Sequence, residues 1–254
     1  MESDPVLVED HDDVRVVRLH RPARLNAVNR ALRRALIAAL DAGNRDPAVA
    51  AIVITGTGER AFCAGQDIDE AASFDGDAAV EAWLTELRDT YQAVRDVEKP
   101  CVVAFNGLAA GAGMQIGLAA DLRVGFPGMR FGQPEVRAGL ASIVGSWFLS
   151  QHVGQGINAE LSLSGSLIDG ERAFALGLLN RLVPQADVLD VALAEARALA
   201  AMPTTAFRLT KRRFRELSQP GFDAAYRAGV QAQREAYAAG DPQRTMAAFL
   251  ARRG

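Results

Sequence analysis

The sequence predicts an α/β protein with mostly parallel strand pairing, and three observations carry that reading. Short β-branched runs alternate with amphipathic helical stretches, so that each helix acts as a crossover covering a sheet face. Of 254 residues, 49% are hydrophobic and 23% charged, a balance that buries a sizeable core. From about residue 186 the strands cease and Ala-, Arg- and Leu-rich helical segments follow. Residues 1–190 are accordingly read as the α/β core holding the active site, and 191–254 as an appended helical region.

In chain order, Val14 to Leu19 reads as a strand, and Arg21-Pro22 opens a loop. Asn29 caps a helix with apolar positions at Leu32, Leu36 and Leu40, and Gly43 is expected to end it. Ala50 to Thr55 is an unbroken β-branched run, hence a buried strand. Residues 67–77 turn acidic and small, which predicts a loop before a long helix whose stripe is Val80, Trp83, Leu84, Leu87, Tyr91 and Val94. Lys99-Pro100 stops that helix. A strand over 101–105, a helix over 111–120 and a strand over 121–126 follow. Helices are then expected over 188–201, 204–217, 221–239 and 242–253, broken by Pro203, Pro220 and Pro242.

Charge and cysteine content narrow the function. A net charge of −3 and a pI near 5.7 provide no positive field to gather nucleic acid or anionic membrane. Cys63 and Cys101 sit in apolar sequence with no metal-ligand spacing and read as buried reduced thiols. Met1 to Pro5 lacks the basic and apolar regions of a targeting segment, so a cytoplasmic location is expected. Cys101 to Ala120 is a run of 20 uncharged residues, long enough for a membrane span, but Asn106-Gly107 splits it into a strand and a buried helix, and no membrane association is expected.

Two stretches, Ala61 to Ile68 and Asn106 to Gln115, leave a β-like run and break into small residues. Bare backbone there lets N–H groups converge on one ligand oxygen, which points to chemistry on a carbonyl or thioester. Glu135 follows Pro134, a residue suited to a first helical turn; a helix end would lower its pKa and apolar flanks would raise it. It reads either as a proton-transfer group or as a solvated first-turn acid. Gln115 reads either as a neutral hydrogen-bonding group in the same pocket or as a satisfied polar residue on a buried helix.

Competing patterns are weaker. Gly56-Thr57-Gly58-Glu59-Arg60-Ala61 matches a dinucleotide fingerprint, yet Phe62-Cys63-Ala64-Gly65 interrupts the helix that such a site needs. Arg208, Lys211, Arg212, Arg213 and Arg215 read as a solvated or intersubunit face. No G-x-S-x-G elbow occurs, and His11, His20 and His152 form no metal pattern.

At this point the chain resembles the crotonase family, the enoyl-CoA hydratase/isomerase superfamily, over essentially its whole length. Arg21-Pro22-Ala23-Arg24-Leu25-Asn26-Ala27 is similar to the family's CoA-contacting loop. Ala61 to Ile68 and Asn106 to Gln115 resemble its two oxyanion segments, and Phe131-Gly132-Gln133-Pro134-Glu135 its catalytic-glutamate segment. Leu163-Ser164-Gly165 and Ala173 to Leu178 follow in register.

The resemblance implies repeated ββα units forming a superhelical core with a C-terminal helical oligomerisation region that also lids the CoA site. It implies an oxyanion hole from the N–H groups of Gln66 and Ala112, with Glu135 and Gln115 at the two catalytic glutamate positions. CoA and substrate contacts would come from Arg24, Leu25, Ala64, Gln66, Asp67, Ile68, Gly111 and Phe249. No separate cofactor is implied, coenzyme A being part of the substrate, and a homotrimer or dimer of trimers is expected.

Two departures bear on the reaction. Gln115 replaces one of two carboxylates, which makes a C2-to-C4 proton shift in an enoyl thioester easier to justify than fast hydration. Ile143 stands near a relative's nucleophilic aspartate, so dehalogenation is not expected. Asp69 stands where some relatives carry lysine, and Arg252 and Arg253 accompany Phe249 at the position that reaches a neighbour's CoA site. The region of Ser142, Ile143, Val144 and Trp147 is expected to shape the acyl pocket. A non-catalytic acyl-CoA-binding subunit is the main alternative, and a dinucleotide-dependent oxidoreductase a weaker one.

Overall fold

Paired strands followed by a helix form the repeating unit. A computed structural model describes residues 4–74 and 76–251, with the side chains of residues 249 and 250 left out. The chain opens with the antiparallel pair β1 (Val6–His11) and β2 (Val14–Leu19), then α1 (Arg30–Arg45). The strand pair β3 (Ala51–Gly56) and β4 (Ala61–Cys63) leads into α2 (Ile68–Ala72) and α3 (Gly76–Asp96). A second pair, β5 (Cys101–Ala104) and β6 (Leu108–Ala110), leads into α4 (Ala112–Ala119); a third, β7 (Leu122–Gly125) and β8 (Arg130–Gly132), leads into α5 (Ile143–Ser150). Next come α6 (Gln155–Ser164), β9 (Leu167–Asp169), α7 (Gly170–Ala175), β10 (Arg181–Leu182), α8 (Val188–Ala200), α9 (Thr204–Ala238) and α10 (Asp241–Ala251).

Each of the later pairs, β3 and β4, β5 and β6, and β7 and β8, divides between two sheets. The first strand enters a six-stranded sheet of order β1-β2-β3-β5-β7-β10, and the second enters a four-stranded sheet of order β4-β6-β8-β9. Pairing is parallel from β2 to β10 and from β4 to β8; the β1–β2 and β8–β9 pairs are antiparallel. Strand alternation explains the two cores. Ala51 and Val53 join Val102, Ala104 and Val124 beneath Val188, Ala192 and Ala196 of α8, whereas Ile52 and Ile54 face the larger core with Leu32, Leu36 and Leu40 of α1.

The Asn29 cap is present, its side chain accepting from the Leu32 amide at 3.0 Å. Three expectations about elements require correction. Gly43 does not end α1, which runs on to Arg45; its missing Cβ instead lets the helix approach Ile52, whose Cδ1 would lie 3.0 Å from an added Cβ. The acidic stretch after residue 67 is not all loop, because Asp67 caps α2 by accepting from the Asp69 and Glu70 amides. Pro220 lies inside α9 rather than between two helices. Packing of Phe222, Ala225 and Gly229, with Arg95 donating to Ser218 and Gln219, holds that helix through the lost hydrogen bond. Gly56 to Ala61 passes into strand β4, not a helix, which removes the dinucleotide reading.

Cys63 and Cys101 are buried free thiols, both with pKa pushed up to about 12 by desolvation. Among the described residues no helix is long and apolar enough to cross a membrane.

Helix α4 packs so closely on strand β4 that a Cβ on Gly113 would lie 2.4 Å from the Cys63 carbonyl oxygen. Gly113→Ala is therefore expected to lower the unfolding free energy by about 1–3 kcal/mol through overpacking. Gly154→Ala, with nothing within 4 Å of the new methyl, is expected to change it by under about 0.5 kcal/mol. Urea midpoints of the two variants measure the difference.

Candidate active site

The first small-residue turn is held from both sides. Leu25 and Asn26 occupy left-handed backbone, with φ of 50° and 54°. The buried Asn26 offsets that cost by donating to the carbonyls of Thr57 at 3.0 Å and Ala61 at 2.8 Å and accepting from the Arg21 amide. Arg21 reaches on to Asp67 at 2.7 Å. Residues 65–67 then pair with Val28 as a single parallel bridge: the Val28 amide donates to Gly65 O, and the Asp67 amide donates to Val28 O. That pattern turns the N–H of Gln66 away from Val28. Among the described residues it donates to no protein acceptor.

The second turn lies across from it. Gly111 has φ of 52°, and a Cβ there would lie 2.8 Å from Glu135 Oε1, so glycine is required twice over. Its amide donates to Gly132 O at 3.0 Å, tying the turn to β8. Ala112 begins α4, and its N–H likewise donates to no protein acceptor among the described residues.

Gln115, one turn along α4, donates from Nε2 to Glu135 Oε1 at 2.9 Å. Glu135 Oε2 is buried and has no partner among the described residues. Desolvation pushes the Glu135 pKa from 4.5 up to about 8, against the lowering effect of its own amide and of Gln115. The helix-end contribution expected from the sequence comes down to that one amide, which burial outweighs. Glu135 lies in a single 3-10 turn, Pro134–Ala138, closed by Gly139 at φ 75°, and so short a turn has no appreciable macrodipole.

Two cavities share Gln66, Glu135 and Leu140 as walls. The outer one, about 600 Å³, brings together Arg24, Leu25, Ala64, Gln66, Asp67, Ile68 and Gly111, seven of the eight residues expected to contact CoA and substrate. The eighth, Phe249, has its side chain outside the described residues, as do Arg252 and Arg253 entirely. Arg24 pairs with Asp69 at 2.7 Å. The inner cavity, about 70 Å³, is walled by Ala112, Gln115, Glu135, Ser142, Ile143 and Val144, with Trp83, Leu87 and Gln133. Trp147 lies outside this wall, packed edge-on against Phe148 and at a tilt against Phe222 beneath Arg95, so it supports the pocket and does not line it.

Sequence reasoning took Trp83 as plain core and passed over Gln133. A polar residue between Gly132 and Pro134 in an apolar stretch was the available signal for the second.

A two-sheet α/β core whose small-residue turns face one buried carboxyl is the class of site found here. The chain belongs to the enoyl-CoA hydratase/isomerase family, whose model matches residues 9–254. It is 33% identical over 258 residues to a probable enoyl-CoA hydratase of Rhizobium meliloti, covering 100% of this chain and 97% of the relative. It is 34% identical over 207 residues to the carboxymethylproline synthase of Pectobacterium carotovorum, covering 82% of this chain and 83% of that one. An enoyl-CoA hydratase/isomerase structure from Mycobacterium paratuberculosis superposes with a TM-score of 0.88 at 27% identity, covering 96% and 98% of the two chains.

The raised Glu135 pKa sets a pH dependence of stability. Between about 4.5 and 8 the folded carboxyl holds a proton that the unfolded one has lost, so stability is full below that window and falls as pH rises through it. Relative to Glu135→Gln, the wild type is expected to lose up to about 1.4 kcal/mol per pH unit there. Paired melts at pH 5 and pH 8 measure the slope; parallel curves would contradict a buried neutral acid.

Proposed function

We propose that this enzyme binds an enoyl-CoA thioester, stabilises its enolate, and uses Glu135 to move a proton between C2 and C4, shifting the double bond. The observation that carries the reading is the Gln115–Glu135 pair, one ionisable acid beside one amide. A carboxylate at Glu135 takes the proton from one carbon and returns it to the other, with no co-reactant and no net loss of electrons. Gln115 cannot exchange protons in that cycle; it holds one carboxyl oxygen so that the other faces the substrate. The uncommitted N–H groups of Gln66 and Ala112 are the donors for the thioester oxygen. The outer cavity takes the CoA moiety, with no separate cofactor, and Arg24 at its mouth meets phosphate.

A second reading, hydration of a 2-enoyl-CoA, is favoured by the similarity to the Rhizobium relative, a probable enoyl-CoA hydratase. There Gln115 would orient water, protonated Glu135 would deliver its proton to C2, and the carboxylate so formed would take the proton that water loses as its oxygen bonds to C3. On either reading residues 191–254 pack a homotrimer or a dimer of trimers, and a monomer by light scattering would remove that part.

Glu135→Gln is expected to reduce turnover of a 3-enoyl-CoA by about 10²–10⁴-fold, and an unchanged rate would remove Glu135 from the mechanism. The pH profile separates the two readings. Isomerisation starts from the ionised carboxyl, so its rate is expected to rise with pH and level off above about 8; hydration by the acid form would decline there. Gln115→Glu is expected to raise hydration relative to isomerisation in the same assay.

A further inference from the structure

The segment that follows the Glu135 turn belongs to no helix or strand. Residues 139–142 run between the turn Pro134–Ala138 and the start of α5 at Ile143. They nevertheless form part of the wall around Glu135: Leu140 borders both cavities, and Ala141 and Ser142 border the inner one. The Leu140 amide also donates to the Glu135 carbonyl at 3.0 Å, so a displacement of this segment is passed on to the acid.

Ala141 is held by one side chain from a distant part of the chain. Gln233, on α9, is 5% exposed. Its Oε1 accepts from the Ala141 amide at 3.2 Å, and its Nε2 donates to the Ala141 carbonyl at 2.8 Å. An amide side chain presents an acceptor and a donor side by side, as a neighbouring strand would, and so satisfies both backbone groups of one residue.

Two glycines bring the helical region close enough for this contact. A Cβ on Gly229, one turn before Gln233, would lie 3.4 Å from Val144 Cγ2 at the start of α5. A Cβ on Gly139 would lie 2.7 Å from the Asp241 carbonyl, where α10 begins. Residues 139–144 are thus pressed between the Glu135 turn and the last two helices.

Resting on the proton-transfer reading above, we propose that Gln233 is a positioning residue for the reaction: by clamping Ala141 it keeps residues 139–142 closed over Glu135, holding the carboxyl against Gln115 and away from water. An amide exchanges no proton, so its effect runs through the segment it holds. The C-terminal helices thereby serve the chemistry of their own protomer.

The pH profile of kcat/KM, taken with whichever enoyl-CoA turns over, tests this on wild type, Gln233→Met, Gln233→Asn and Ala225→Gly. Methionine matches glutamine in length but neither donates nor accepts there; asparagine keeps the amide one methylene short. Ala225→Gly weakens α9 at a buried position on neither cavity wall. Charged and titratable side chains near the carboxyl are Arg88, Tyr91 and Tyr226 on the inner wall and Arg24, Asp67, Asp69 and Arg137 on the outer. None of them is replaced, so a moved midpoint reports water at Glu135.

The wild-type midpoint is expected near 8. In Gln233→Met it is expected to fall to about 7 or below, with kcat reduced about tenfold or more. Gln233→Asn is expected to lie between, and it decides the matter if the methionine variant does not fold. Ala225→Gly is expected to melt at lower temperature with its midpoint unmoved, which is how a merely structural loss behaves. A midpoint left at the wild-type value by the Gln233 substitutions, or moved as far by Ala225→Gly, would overturn the proposal and leave Glu135 as the acid. A wild-type profile with no midpoint, or one that survives Glu135→Gln, would defeat both readings.

Discussion

A carboxyl kept out of water with a single amide for company is the constraint on which the rest of this structure depends. Glu135 can hold its proton to about pH 8 because burial penalises its charged form by more than its own amide and Gln115 favour it. Keeping it there requires Gly111, since any side chain at that position would strike Oε1. It also requires the short turn after Pro134, which presents the carboxyl without the dipole of a longer helix. A third requirement is β8, which ties the Gly111 turn in place through the Gly132 carbonyl.

The opposite wall is fixed by charge. Arg33, fully buried, forks onto Glu70 at 2.8 and 3.0 Å and onto Glu86 at 2.8 Å, and Glu70 also accepts from the Gln66 side chain at 2.8 Å. A buried cation with two carboxylates adds little net stability, but loss of one partner strands the rest. The network thereby fixes α2 and the backbone of Gln66 against α1 and α3. Both free amides are thus set by elements that have little freedom to move, as preorganised donors must be.

Much of this was legible in the sequence, for identifiable reasons. Long periodic segments such as α1 and α3 were placed because their apolar stripes repeat over several turns. The turns at 61–68 and 106–115 were visible because only small residues fill them. Three-residue strands such as β4, β6 and β8 gave no periodic signal, and they are defined by partners distant in sequence. Pro220 misled because tertiary packing along α9 outweighs one lost hydrogen bond. The Glu135 pKa was posed from sequence as a contest between burial and a helix end, and burial wins because the turn offers only one amide against it. Trp83 could not be told from its core neighbours, since the cavity it walls is formed by elements distant in sequence.

The central claim is that two fixed amides polarise a thioester beside one acid. Difference infrared spectroscopy of a bound acyl-CoA with a ¹³C-labelled thioester carbonyl reads that polarisation at the bond concerned. The account expects the carbonyl band to move to clearly lower frequency on binding, in wild type and in Glu135→Gln alike, because the donors are backbone groups. A bound carbonyl vibrating at its free-solution frequency would contradict it.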